Sequence, residues 1–399
     1  MKQYFITTIS AVLLILMAYF AGCKASAATI EKPNANIDRA ILLAMDYLSK
    51  NTLSTGRFVY NASIDSNASF NTKSYNALRH AGTLYSMYLC ERVLDNAMLK
   101  EKRYLASEYF VKNYVREVKP NLYTVVSKME EEKLDTEQAK LGGTGLALIG
   151  LSNLYPEGKI DLKILRGLGD FAIYMQKEDG SFYSKYDVTK AQIDTKFTSL
   201  YYPGEVAYGL LFLNEVDPQK KWVDCAKKAL LYLAYSRKDK GLDVPFDHWA
   251  MLATRKLFET PDNGLSAIEK KWLQVHAEQM AYSKINEQIV DAGHTYQGGL
   301  LENLRLCSLG TIMEGFVAIY YITDDENLKH RVYKFLDLGT SFLADYQVKD
   351  GNKKGGIPTT AYWKLSNAPK SSLVIRIDNV QHVISAWITF KELKKLEHK

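Results

Sequence analysis

Cysteine is scarce in this chain: 399 residues carry four, at Cys23, Cys90, Cys225 and Cys307. The last three fall in separate predicted helices and at no metal-ligand spacing, which argues against a disulfide framework or a cysteine-held metal. The histidines form no His-x-x-x-His pair, so no metal ion and no cofactor are expected. After the first two dozen residues no apolar run reaches the ~20 residues that spanning a bilayer requires. The formal charge of +6 is spread along the chain without a basic stripe, which excludes nucleic acid as the expected partner. There is no low-complexity tract, and 47% hydrophobic against 24% charged residues is an ordinary globular balance with enough apolar material for a sizeable core.

What is present begins with Lys2, an apolar run from Phe5 to Ala21, and Phe20-Ala21-Gly22-Cys23, which resembles a bacterial lipobox. Residues 1–22 are therefore expected to be a lipoprotein signal peptide cut before Cys23, with Cys23 lipidated and residues 23–36 a tether. The small residues Ala25 to Ala28 leave open a plain secretory cut instead. Either reading puts the protein in the cell envelope or outside the cell: anchored to a membrane by lipid, on the periplasmic face of an outer membrane where the cell has one, or secreted.

From Ile37 onward, apolar residues recur at helical period, in two alternating kinds of segment. Ile37–Asn51, Met98–Val118, Ile160–Lys177, Gln219–Arg237, Ala267–Val290 and Asn327–Val348 are charged and amphipathic, the pattern of an outer layer. Ser74–Leu94, Gln138–Leu154, Tyr202–Val216, Phe246–Phe258, Leu304–Ile322 and Asp378–Leu393 are apolar on most sides and belong inside. Six helical hairpins in one domain over 37–395 follow, an all-α (α/α)6 toroid acting as a monomer. Inner-to-outer links such as Asp217–Pro218 are short, whereas outer-to-inner links such as Lys119–Glu137 and Lys349–Ile377 are long and carry strand-like pieces. The elaborate loops thus gather at the end where inner helices begin, and functional residues gather on positioned loops.

Polar groups concentrate at those helix starts. Glu205, Asp247, Glu314 and Asp378 stand where an apolar residue would otherwise pack, so each must be paired or wet. Carboxylates sharing a cleft suit acid/base work at a glycosidic centre, with one held protonated and one ionised. Asp247 and Asp378 equally suit helix N-caps, and Glu205 equally suits a core ion pair with Arg79 or Arg305. His80, His248 and His382 also fall at inner-helix starts and can move protons. Arg79, Arg305, Arg376 and Lys140 either neutralise the carboxylates or receive an acidic group on a ligand. Tyr201, Tyr202 and Trp249 offer aromatic faces with polar edges for sugar rings.

The turn Gln176-Lys177-Glu178-Asp179-Gly180-Ser181-Phe182, its echo Gln347-Val348-Lys349-Asp350-Gly351, and the helix starts Leu141-Gly142-Gly143-Thr144-Gly145 and Tyr202-Pro203-Gly204-Glu205 resemble the six-hairpin toroid superfamily. That superfamily includes glycoside hydrolases, polysaccharide lyases, sugar epimerases and terpene-cyclase-like toroids; the last are disfavoured because no Asp-x-Asp-Asp pair is present. The resemblance implies a carbohydrate substrate. We expect a glycoside hydrolase-like enzyme acting on an envelope or extracellular polysaccharide, acidic or hydroxyl-rich, with a lyase, a uronate C5-epimerase and a non-catalytic glycan-binding or scaffold lipoprotein as alternatives. Glu205 and Asp378 are the expected acid and base, with Asp247 an alternate and His382 and Tyr202 assisting. Arg79, His80, Lys140, Tyr201, His248, Trp249, Arg305, Glu314, Arg376 and Gln381 are expected to bind substrate.

Overall fold

The computed structural model describes residues 37–397; the expected signal peptide, Cys23 and tether lie outside the described residues. Twelve principal helices alternate between an outer and an inner layer. The outer helices are α1 (Ile37–Lys50), α3 (Ala97–Tyr114), α5 (Leu162–Tyr174), α7 (Lys220–Arg237), α9 (Ala267–Lys284) and α11 (Glu326–Asp345). The inner ones are α2 (Ala77–Val93), α4 (Leu141–Leu151), α6 (Tyr202–Val216), α8 (His248–Glu259), α10 (Leu306–Ile322) and α12 (Ile377–Glu397). Each inner helix packs on the next, and α12 returns to α2, so the ring is closed and the fold is an (α/α)6 toroid.

Sequence dictates the layers. Every residue of α4 is buried, as an uncharged Gly, Ala, Leu and Ile segment requires. In α1 only one stripe is buried, including Ala40, Ile41, Ala44, Met45 and Leu48, and the opposite face carries its charges. Glycine lets the inner helices approach closely: a Cβ on Gly145 of α4 would sit 2.6 Å from the Glu205 carbonyl oxygen of α6, and one on Gly209 would sit 2.4 Å from the Gly145 carbonyl oxygen. At the closing seam Ser86 of α2 donates to the Gln381 carbonyl at 3.1 Å, and its Oγ lies 2.8 Å from Ser385 Oγ of α12.

A repeated clamp ties the outer helices together. Gln176 Nε2 donates to the Gly180 carbonyl at 3.2 Å and to the Cys225 carbonyl of α7 at 2.9 Å. Gln288 does the same to Gly298 and to Phe335 of α11, both at 3.0 Å. Gln347 does it to Gly355 at 3.2 Å and to Ala40 of α1 at 3.0 Å, fastening the last outer helix to the first. The glycine is obligatory: Gly355 has φ +89°, and a Cβ there would meet the Leu43 carbonyl oxygen at 1.9 Å. The sequence echo at Gly351 is therefore offset from the structural one, since nothing lies within 4 Å of a Cβ built on Gly351.

The long loops carry the strands. β1 (Asn61–Ser63) pairs antiparallel with β7 (Val374–Arg376), joining the first and last loops. β2 (Val115–Lys119), β3 (Leu122–Ser127), β4 (Gln138–Lys140), β5 (Lys185–Asp187) and β6 (Gln192–Asp194) form an antiparallel sheet in sequence order. Two sequence boundaries shift for this reason: Val115–Val118 leaves the predicted third helix for β2, and Gln138–Lys140 leaves the predicted fourth for β4, because both segments find strand partners. Among the described residues no helix is long and apolar enough to cross a membrane.

Replacing Gln347 by Ala removes the side-chain donor of the buried Gly355 carbonyl and the link to the Ala40 carbonyl of α1. It should lower unfolding stability by about 1–3 kcal/mol in urea titrations. An unchanged midpoint would mean that the clamp is not what closes the ring.

Candidate active site

The first turns of the inner helices converge on a pocket of about 350 Å³ at the loop end. Its walls include Arg79 of α2, Tyr202 and Glu205 of α6 with Tyr201 just before it, His248 and Trp249 of α8, and Asp378, Gln381 and His382 of α12. A larger groove of about 780 Å³ lies near the far ends of α6 and α8, but charged side chains of its walls pair among themselves, Lys256 with Glu215 at 2.5 Å and Lys220 with Asp224 at 2.7 Å. The residues able to do chemistry meet in the smaller one.

Its centre is a carboxylate between two imidazoles. Glu314 of α10 is buried, and its Oε2 lies 2.7 Å from His382 Nδ1 and 3.7 Å from His248 Nε2. The imidazole rings are 5.4 Å apart, edge to face. Burial pulls His382 down, but the Glu314 charge and hydrogen bond outweigh it and hold its pKa above the ordinary histidine value. Burial, with the neighbouring His382 charge, pushes His248 well below that value, so His248 is neutral. Burial raises Glu314, opposed by the charge and hydrogen bond of His382. Ligand atoms of these three residues lie within 4.8 Å of one another, a set that can also take a metal ion.

The other carboxylates sit in contrasting surroundings. Asp378 accepts from Arg79 Nε at 2.9 Å and Arg376 Nη2 at 2.8 Å; burial would raise its pKa, but the two guanidiniums overcome it and hold it low. Arg79 also donates to the Tyr60 hydroxyl. Glu205 has no cation against it: its Oε2 finds no hydrogen-bond partner, and burial, reinforced by the charge of Asp247, lifts it from 4.5 to about 8. Asp247 caps α8 by accepting from Ala250 N at 3.1 Å and lies 3.5 Å from Arg237; burial raises it to about 6 against that cation.

Several expected residues stand elsewhere. His80 is buried between α2 and α3, its Nδ1 2.7 Å from the Tyr75 hydroxyl and its Nε2 2.9 Å from the Ala106 carbonyl. Lys140 is paired with Glu132, and Arg305 is exposed at the start of α10 with its backbone bridged to Thr360. Arg376, Asp247 and Glu314 act from behind the walls, through Asp378, α8 and the two histidines. Thr311, a polar group near the start of α10, also lines the pocket, as does Phe246, while Tyr60 holds Arg79; Phe246 and Tyr60 are not among the residues expected from sequence. Phe246, two positions before His248, was within reach of the helix-start reasoning. Tyr60 carries no sequence signal, because its position depends on β1 pairing with a strand more than 300 residues away.

The closed (α/α)6 ring is a fold shared with solved structures of sugar-active enzymes. No protein-family model and no curated sequence matches the chain. Similar solved structures include the cellobiose 2-epimerase of Bacillus thermoamylovorans B4167, with TM-score 0.63 and 13% identity over 88% of this chain and 98% of that one. A D-mannose isomerase matches with TM-score 0.63 and 12% identity, covering 89% of this chain and 97% of that one. The GH76A alpha-1,6-mannanase of Salegentibacter sp. HEL1_6 matches with TM-score 0.59 and 12% identity, covering 90% of this chain and all 100% of that one. At such identities the likeness is one of fold.

The raised Glu205 has a consequence for stability. Between pH 4.5 and about 8 the folded chain retains a proton there that the unfolded chain has released, so stability falls as pH rises through that window. Glu205→Gln removes the titration, and in urea denaturation at pH 5 and pH 8 it should gain on the wild type at the higher pH. A constant gap between the two proteins would show that Glu205 does not titrate in that range.

Proposed function

We propose that the protein is a carbohydrate-active enzyme that moves a proton at the carbon beside a sugar carbonyl, as an epimerase or an aldose–ketose isomerase. The observation that carries this reading is Glu314 set between His382 and His248. Neutral His248 takes the C2 proton of an open-chain aldose, and the electron pair of that C–H bond moves onto the carbonyl oxygen to give an enediolate. Arg79 and the inward-pointing helix N-termini offset the new negative charge. Protonated His382 returns a proton to C2 from the opposite face, inverting it, or to C1 as the proton on O2 passes to O1, giving the ketose. As His382 loses its charge and His248 gains one, the single Glu314 carboxylate serves whichever imidazolium exists. Trp249, buried against His248 at a 4.7 Å ring separation, and the half-exposed Tyr201 give the sugar ring apolar faces to lie on.

The paired-carboxylate hydrolase expected from sequence remains the second reading. Glu205, protonated near neutrality and unpartnered in the pocket, suits a general acid, and Asp378, held ionised, suits a base. Against Asp378 stand its two arginines, whose hydrogen bonds already occupy both carboxylate oxygens. Incubating the protein with mannose, glucose and cellobiose in D2O separates the readings. Proton transfer predicts deuterium at C2 and a changed sugar, with Glu314→Gln and His382→Asn slowing exchange by about 10²–10⁴-fold. Release of shorter sugars without exchange would sink the first reading.

The reading extends to location. An apolar run ending in the Cys23 lipobox supports an envelope lipoprotein. Cells fed an alkyne fatty acid should label the wild type but not Cys23→Ala; equal labelling removes the anchor from the proposal.

A further inference from the structure

We propose a second binding platform beside the pocket, formed by Phe197 and the open face of β4 to β6, that holds the distal units of an oligosaccharide whose reacting unit sits between the histidines. Phe197 is 40% exposed at the pocket mouth, its ring 6.3 Å from that of Tyr202, a pocket wall. Lys185 Nζ stands 4.0 Å from the Phe197 ring centre, and Lys185 also lines a separate cavity of about 360 Å³ on the sheet. Phe197 thus stands between the two cavities, beside the pocket wall Tyr202 on one hand and the cavity-lining Lys185 on the other.

The chemistry along that line fits a glycan. The Lys185 ammonium lies over one face of the Phe197 ring, and the apolar face of a sugar covers what is still exposed while its hydroxyls stay free to hydrogen-bond. Asp187, Lys190, Gln192, Asp194 and Lys196 around the sheet cavity supply both donors and acceptors for those hydroxyls. One ring ringed by mixed charge is too small an apolar patch for a stable protein partner or a lipid surface. The loop is also set in place before any ligand arrives. Asp194 Oδ1 accepts from Lys196 N at 2.8 Å and Phe197 N at 3.4 Å, and Ser184 Oγ accepts from Ser199 N at 2.9 Å. Phe197 is therefore held outward by hydrogen bonds on both sides, a preorganised surface that loses little on binding.

The inference rests on the carbohydrate reading, so its test separates chain-length recognition from chemistry. Binding of manno-, gluco- and uronate-oligosaccharides, from monosaccharide to hexasaccharide, is measured by titration calorimetry on the full chain. At least one series should tighten by roughly tenfold between disaccharide and tetrasaccharide, the gain one stacked ring supplies. Phe197→Ala should lose that gain while leaving monosaccharide binding unchanged, and Phe197→Trp should keep it. Affinity independent of length in every series, or a Phe197→Ala protein that retains the gain, overturns the platform. Deuterium exchange on the shortest sugars reports on the histidines alone, so either proposal can fail without the other.

Discussion

Ring closure is the constraint on which the rest depends. A toroid of hairpins gives each inner helix two inner neighbours only if the last hairpin finds the first, and Gln347 makes that junction by reaching from the end of α11 to a carbonyl of α1. The same hand-hold recurs at Gln176 and Gln288, so closure repeats a joint already used between earlier hairpins. With the circle complete, the starts of the inner helices face one another across a space that no single hairpin could enclose. The pocket is a product of topology, and its polar lining follows from which residues stand in the first turns.

That lining shows how burial and neighbours divide similar groups into different roles. Asp378 meets two guanidiniums and stays charged; Glu205 meets none and takes up a proton; Glu314 meets two imidazoles and shares its charge with them. Desolvation acts on all three in the same direction, so the cation count around each decides the outcome. The histidines divide in the same way. His80, wedged among rings with both nitrogens engaged, is a packing residue, while His248 keeps an unpartnered nitrogen near the carboxylate.

The two layers were legible because they differ in polarity: a segment such as Leu141–Leu151 has nothing to show to water, whereas Ile37–Lys50 has one dry stripe. The loop asymmetry pointed to the end where the pocket lies for the same reason, since polar groups at a buried helix start need an explanation. Contacts made across the ring were not legible. Whether Asp378 would cap a helix or sit between Arg79 and Arg376, and whether Glu314 would touch sugar or histidine, depends on side chains separated by tens to hundreds of positions. Strand pairing hid β4 likewise, because Gln138–Lys140 reads as helix until β3 and β5 lie on either side of it.

One feature of the final helix governs when the molecule becomes competent. Asp378, Gln381 and His382 all come from the opening turns of α12, and Asp378 is held from the other side by Arg79 of α2, 299 positions earlier in sequence. The pocket can therefore be completed only after the first and last hairpins have met, and a chain whose α12 has not yet docked on α2 lacks these walls however well the hairpins between them have folded.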